Sequence, residues 1–142
     1  MQIEDVIEKK ANLVLNRKEK NMGDALGLEY KVISKNEVSA EMPVNENTIQ
    51  PFGILHGGAS VALAETLASI GGWLNADEGK TAVGVEINAN HIRSVKKGGR
   101  VTGKATPVKI GRSIQIWEIR ITNERDKLVC MSRCTLAIVE MK

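Results

Sequence analysis

Residues 3–20 place Ile3, Val6, Ile7 and Val14, with neighbouring Leu13 and Leu15, on one side of a helical projection, and Glu4, Asp5, Glu8, Lys9, Lys10, Arg17 and Lys18 elsewhere. This is the pattern of an amphipathic helix docked on a domain. Two short strand patterns follow, Leu28–Ser34 and Glu37–Val44, with Lys35-Asn36 as the turn between them. Asn45–Gly58 is punctuated by Pro51, Gly53, Gly57 and Gly58, so it reads as an ordered loop running into a helix. From Gly58 to about Ala76 apolar side chains fall on every face, which marks a helix buried in a core. Four strand patterns complete the chain: Thr81–Ile92, Arg100–Lys109, Ser113–Thr122 and Leu128–Glu140. Helix, two strands, long helix, four strands predicts an α+β fold with a largely antiparallel sheet and one helix that needs a cover. No repeat or linker interrupts the pattern, so residues 1–142 read as one domain.

Composition supports the sheet. Val and Ile supply 27 of the apolar residues, and β-branched side chains favour pleated surfaces. The only aromatics are Tyr30, Phe52, Trp73 and Trp117, too few for a protein that stacks nucleic-acid bases on exposed rings. Cys130 and Cys134 lie four apart in a strand pattern, roughly 13 Å between Cα atoms and beyond disulfide reach. They read as free buried thiols. With no secretory pattern at the N-terminus, the cytoplasm is the expected compartment. The stretch from Gly57 to Ala76 has the length of a membrane span. Its four glycines, a mid-helix carboxylate and the strands after it argue instead for a core helix and no membrane.

That carboxylate, Glu65, is the only charge between Gly57 and Ala76, and no Lys or Arg occurs from Asn36 to Gly79. A carboxylate is not buried unpaired without a large desolvation cost. Glu65 is therefore either solvated at a helix edge, paired with a distant Arg, or functional. Ser69 lies one turn further along the same face. At the helix entrance stands Gln50-Pro51-Phe52-Gly53-Ile54-Leu55-His56-Gly57-Gly58. A glycine pair at a helix start lets a ligand approach free N–H groups, an anion or oxyanion site. Neither a P-loop nor a dinucleotide fingerprint is present. Two histidines, His56 and His91, without an acidic cluster give no expected metal site. Gly57 and Glu65 are eight residues, about 12 Å, apart along a helix. If both serve one carbonyl, two chains must contribute, with their helices antiparallel across a two-fold axis.

Charge is uneven. Between Glu86 and Glu118 there is no acid, while Arg93, Lys96, Lys97, Arg100, Lys104, Lys109 and Arg112 all fall there, which predicts a positive patch. His91-Ile92-Arg93-Ser94 and Lys109-Ile110-Gly111-Arg112-Ser113 are its candidate phosphate contacts. No nucleic-acid-binding pattern accompanies the cations, and no nucleic-acid partner is expected.

Gln50-Pro51-Phe52-Gly53, His56-Gly57-Gly58-Ala59-Ser60, Leu63-Ala64-Glu65 and Val85-Glu86-Ile87-Asn88-Ala89-Asn90-His91 together resemble the hotdog-fold acyl-CoA thioesterases of the 4-hydroxybenzoyl-CoA type with a helix glutamate. That group includes the 1,4-dihydroxy-2-naphthoyl-CoA hydrolases, the enterobactin-pathway proofreading thioesterases and the phenylacetate-pathway thioesterases. The resemblance runs from about residue 25 to the C-terminus. It implies a long central helix wrapped by a curved antiparallel sheet, in homodimers or homotetramers with the active site at the dimer interface. It also implies that Glu65 and Ser69 of one subunit face Gln50, His56 and Gly57 of the other. Glu65 would be nucleophile or general base, and the Gly57 N–H would polarise the thioester carbonyl. Contacts to CoA would come from Gly84, His91, Ile92, Arg93, Ser94, Lys109, Ile110, Gly111, Arg112, Ser113 and Ile114.

The chemistry is consistent with those roles. A helix N-terminus favours a developing oxyanion, and a carboxylate can attack the carbonyl or deprotonate water. The expected reaction is hydrolysis of an acyl-CoA with a compact or aromatic acyl group, needing no cofactor. The alternatives are an acyl-CoA hydratase or dehydratase on the same fold, and a module that binds acyl-CoA without cleaving it.

Overall fold

The computed structural model describes all 142 residues. A short strand β1 (Gln2–Ile3) leads through a 3-10 turn (Asp5–Ile7) into helix α1 (Glu8–Leu15), and helix α2 (Met22–Leu26) follows. The hairpin β2 (Glu29–Ile33) and β3 (Val38–Pro43) precedes the long helix α3 (Gly57–Asn75). Four strands end the chain: β4 (Lys80–His91), β5 (Arg100–Ile110), β6 (Ile114–Asn123) and β7 (Leu128–Glu140). All seven strands form one sheet in the order β1-β2-β3-β5-β6-β7-β4. Every pairing is antiparallel except β1 with β2. This is the expected α+β arrangement, a central helix against an antiparallel sheet. No helix is long and apolar enough to cross a membrane.

The helix seats on the sheet through small residues. A Cβ on Gly71 would lie 2.5 Å from the Trp117 ring, and one on Gly103 2.9 Å from Leu67 Cδ1. Trp117, Leu63 and Leu67 are fully buried, and Trp117 Nε1–H donates to Gln115 Oε1 at 2.9 Å. On β6 the inward row Gln115, Trp117, Ile119 and Ile121 is buried, as period-two alternation requires. At its far end α3 is capped by Lys10 of α1, whose ammonium donates to the Trp73 and Ala76 carbonyls at 3.1 and 3.2 Å. A cation suits the negative end of the helix.

Three expectations are corrected. The N-terminal helix is not continuous over 3–20. Ile3 pairs with Ile33 as a strand, α1 ends at Leu15 where the polar run Asn16–Asn21 offers nothing to bury, and a second helix begins. That helix opens on an Asn21/Asp24 capping box and stops at left-handed Gly27 (φ 76°). The second correction concerns α3, which is not covered on all sides within one chain. Glu65 is exposed, and Ala62, Thr66, Ser69, Ile70 and Trp73 are only half-buried.

The third correction is to the single positive patch, which does not exist. Arg100 pairs with Glu29 and Glu41, and Lys104 pairs with Glu37, because β2 and β3 bring acids that are remote in sequence beside β5. The cations left without an ion pair fall into two groups: Arg93, Lys96 and Lys97 after β4, and Lys109 and Arg112 at the β5–β6 turn.

Candidate active site

The loop before α3 is built by its own hydrogen bonds. Thr48 Oγ1 donates to the Pro43 carbonyl at 2.7 Å and accepts from the Asn45 N–H at 2.9 Å. The Gly53 N–H closes a turn on the Gln50 carbonyl at 3.0 Å, with Gly53 left-handed at φ 83°. Inside that turn the Phe52 N–H donates to Gln50 Oε1, which orients the carboxamide and leaves its NH2 group free to donate to another partner. The loop is tied to the β4–β5 connection, where the Leu55 N–H donates to the Val95 carbonyl at 2.8 Å.

His56 is the N-cap of α3. Its Nδ1 accepts from the Gly58 N–H at 2.8 Å, which places its ring proton on Nε2. The Ala59 and Ser60 N–H groups donate back to the His56 carbonyl at 3.0 and 3.3 Å. Of the first four N–H groups of the helix, only that of Gly57 lacks an acceptor in the chain. It opens on a cleft of about 350 Å³ lined by Gln50, Ile54, Leu55, Gly57, Ser60, His91, Ile92, Arg93, Ser94 and Val129. The cleft therefore unites Gln50, Gly57 and the stretch from His91 to Ser94, which lie far apart in sequence. Ile54, Leu55, Ser60 and Val129 were not named as site residues from sequence. Ser60 and Val129 are buried residues of ordinary helix and strand patterns, so only the three-dimensional packing marks them.

The remaining candidates lie elsewhere. Glu65 projects from α3 at Gly84 of the edge strand β4. A Cβ on Gly84 would sit 3.0 Å from Glu65 Oε2. The β4–β7 register slips between Gly84 and Glu86, leaving Val85 without a partner beside the carboxylate. Glu65 makes no ion pair and no hydrogen bond within the chain, so no Arg of its own chain neutralises it. Ser69 follows one turn on, half-buried. Gly84 lies against Glu65, away from the cleft lined by His91–Ser94. Ile110, Gly111 and Arg112 border a separate hollow of about 220 Å³ with Asn75, Ala76 and Asp77, at the C-terminal end of α3. Lys109, Ser113 and Ile114 flank the same turn and are exposed. The two candidate CoA-contacting stretches thus sit at opposite ends of a 19-residue helix, about 28 Å long, and do not meet within one chain.

Cys130 and Cys134 are free and buried. Burial, then the charges of Glu65 and Glu86, pushes the Cys134 thiol up to about 11.

The sequence and the fold both have close counterparts. The family model described as "Thioesterase superfamily" matches residues 52–130. A 1,4-dihydroxy-2-naphthoyl-CoA hydrolase from Escherichia coli K12 is 46% identical over 121 residues, 85% of this chain and 88% of that protein. A proofreading thioesterase from Klebsiella pneumoniae is likewise 46% identical over 121 residues, with the same shares covered. A thioesterase from Haemophilus influenzae, solved by crystallography, shares the fold with a TM-score of 0.83 at 46% identity, over 93% of this chain and 90% of that one. With a glutamate on the central helix, an open N–H at that helix's start and relatives of this kind, the chain belongs to the thioesterase superfamily and is a hotdog-fold thioester hydrolase.

Proposed function

We propose that this chain hydrolyses an acyl-CoA thioester to the free acid and CoA, in a site shared between two copies of the chain. The observation that carries the proposal is the state of α3. Its one open N–H, at Gly57, and its one carboxylate, Glu65, are both without partners in the chain and stand about 12 Å apart. Two helices antiparallel across a two-fold axis bring Glu65 and Ser69 of one subunit to Gln50, His56 and Gly57 of the partner subunit. The unpaired edge of β4, twelve residues long with Val83 and Val85 exposed, supports the same pairing, because a long apolar edge strand invites a second strand. A tetramer is a further association of such dimers.

In this site the thioester carbonyl accepts from the Gly57 N–H and the Gln50 carboxamide, at the positive end of α3. Glu65 attacks the carbonyl carbon, releasing CoA thiolate and leaving a mixed anhydride that water hydrolyses, or it takes a proton from the attacking water. His56 donates from Nε2 and holds the helix start through Nδ1. That use of Nδ1 leaves His56 itself without a free base atom, so it cannot serve as the base of an acyl-CoA hydratase. Water is the only co-reactant, and no cofactor enters. Antiparallel pairing also brings the turn of Lys109–Ile114 from the partner subunit toward the cleft bearing His91, Ile92, Arg93 and Ser94, so one CoA meets both groups of cations. The acyl group, compact or aromatic, lies along the half-buried face Ala62, Thr66, Ser69 and Ile70, toward Trp73. The naphthoyl-CoA hydrolase among the relatives supports an aromatic acyl group. Free buried thiols fit a reducing cytoplasm.

A thiol-release screen over aromatic, short and long acyl-CoA compounds finds the best substrate. On that substrate Glu65→Ala is expected to lower turnover at least ~100-fold. Full turnover by the variant overturns the assignment.

A further inference from the structure

We propose that His91 is a positioning residue for the carbonyl-polarising donor and acts through Gly57, not only through the phosphates of CoA. The proposal rests on the reading of Gly57 just given. A Cβ on Gly57 would lie 2.8 Å from His91 Nε2 and 3.0 Å from its Cε1, so the imidazole fills the space beside the Gly57 Cα. Backbone conformation does not call for glycine here. The left-handed glycines are Gly27, Gly53, Gly79 and Gly98, whereas Gly57 opens a regular helix. The group that a larger residue at 57 would meet, and would have to displace, is His91.

The first turn of α3 needs such a brace. On the loop side the entrance is tied by the His56 N–H to the Thr48 carbonyl at 2.8 Å and by the Leu55 N–H to the Val95 carbonyl. On the sheet side Gly57 makes no backbone hydrogen bond, and its neighbour is the His91 ring. That ring is mounted on the last residue of β4, where the Ile92 and Arg93 N–H groups donate to the Val129 carbonyl at 2.8 and 3.3 Å. The backbone of that strand end is held in this way, while the exposed His91 ring rests against Gly57 without a hydrogen bond of its own. An N–H that must meet a developing oxyanion loses most of its effect when it is displaced by an ångström.

Two thioesters of one acyl group separate positioning from phosphate binding: the CoA ester, and the N-acetylcysteamine ester, which has no nucleotide. His91→Ala is expected to lower kcat at least ~10-fold on both, with KM for the CoA ester changing less than kcat. Gly57→Ala is expected to lower kcat when His91 is present and to cost much less in the His91→Ala background, where the new methyl group fits the vacated space. A His91→Ala enzyme that only raises KM for the CoA ester contradicts the inference, as does an equal effect of Gly57→Ala in both backgrounds. The Gly57→Ala comparison in the His91 protein and in His91→Asn gives the same decision if His91→Ala does not fold. Should Glu65→Ala stay active, the proposed reaction fails. Should Glu65→Ala be inactive while His91→Ala keeps its kcat, only the role of His91 fails.

Discussion

At the scale of single residues the proposed site depends on two unsatisfied groups, the Gly57 N–H and the Glu65 carboxylate. Residue 57 is the first of the helix and follows an extended His56 (φ −71°, ψ 129°), which are the conditions proline accepts. Gly57→Pro therefore deletes the N–H while keeping the helix. Gly57→Ala adds a Cβ against His91 but keeps the N–H. We expect Gly57→Pro to turn over ~100-fold more slowly than Gly57→Ala, the scale of one lost oxyanion donor, in steady-state assays on the best thioester; equal rates contradict a donor role. Cys134 gives a prediction in pH. Its thiol is raised from an ordinary 9.0 to about 11 by burial and by Glu65 and Glu86. Between those values the unfolded chain has lost a proton that the folded chain keeps. The stabilisation is therefore fully present below about pH 9 and is lost as pH rises toward 11. Urea midpoints measured from pH 8 to 11 should fall more steeply for the natural chain than for Cys134→Val. Parallel slopes contradict the account.

At the scale of elements, close approach of α3 to the sheet sets where both groups point. The Trp117 ring, fully buried and held by Gln115, leaves 2.5 Å for a Cβ on Gly71 and cannot yield. Gly71→Ala should destabilise the fold by about 1–3 kcal/mol through overpacking, although alanine alone would favour the helix by about 1 kcal/mol. Urea unfolding checks the sign, and a stabilised variant contradicts the packing. Periodicity made most elements legible. Strands β2 to β7 and helix α3 fall within one or two residues of where the hydrophobic pattern and the turn residues put them. The N-terminal segment was not legible, since a two-residue strand exists only through its pairing with β2, and Ile3 looks the same in a helix pattern. The capping box at Asn21 and Asp24 was a local signal that could have been read.

At the scale of the whole molecule, sequence ordering hid the electrostatics. An acid-free stretch is neutralised in part because Glu29, Glu37 and Glu41 arrive on adjacent strands, and no linear reading joins them to Arg100 and Lys104. Gln50, Gly57 and the stretch from His91 to Ser94 were legible one by one, whereas their grouping in one cleft depends on β4 ending beside the start of α3. The separation of Gly57 from Glu65 was visible from helix geometry alone, and from it follows the central claim of a site shared by two subunits. Co-expression of Glu65→Ala and Gly57→Pro chains tests that claim most directly. Random pairing makes half the dimers mixed, and each mixed dimer holds one intact site of its two, so thiol release should recover to about a quarter of the natural rate although each variant alone is inactive. Recovery near zero, with mixed dimers shown to form, would contradict the shared site and return both groups to a single chain.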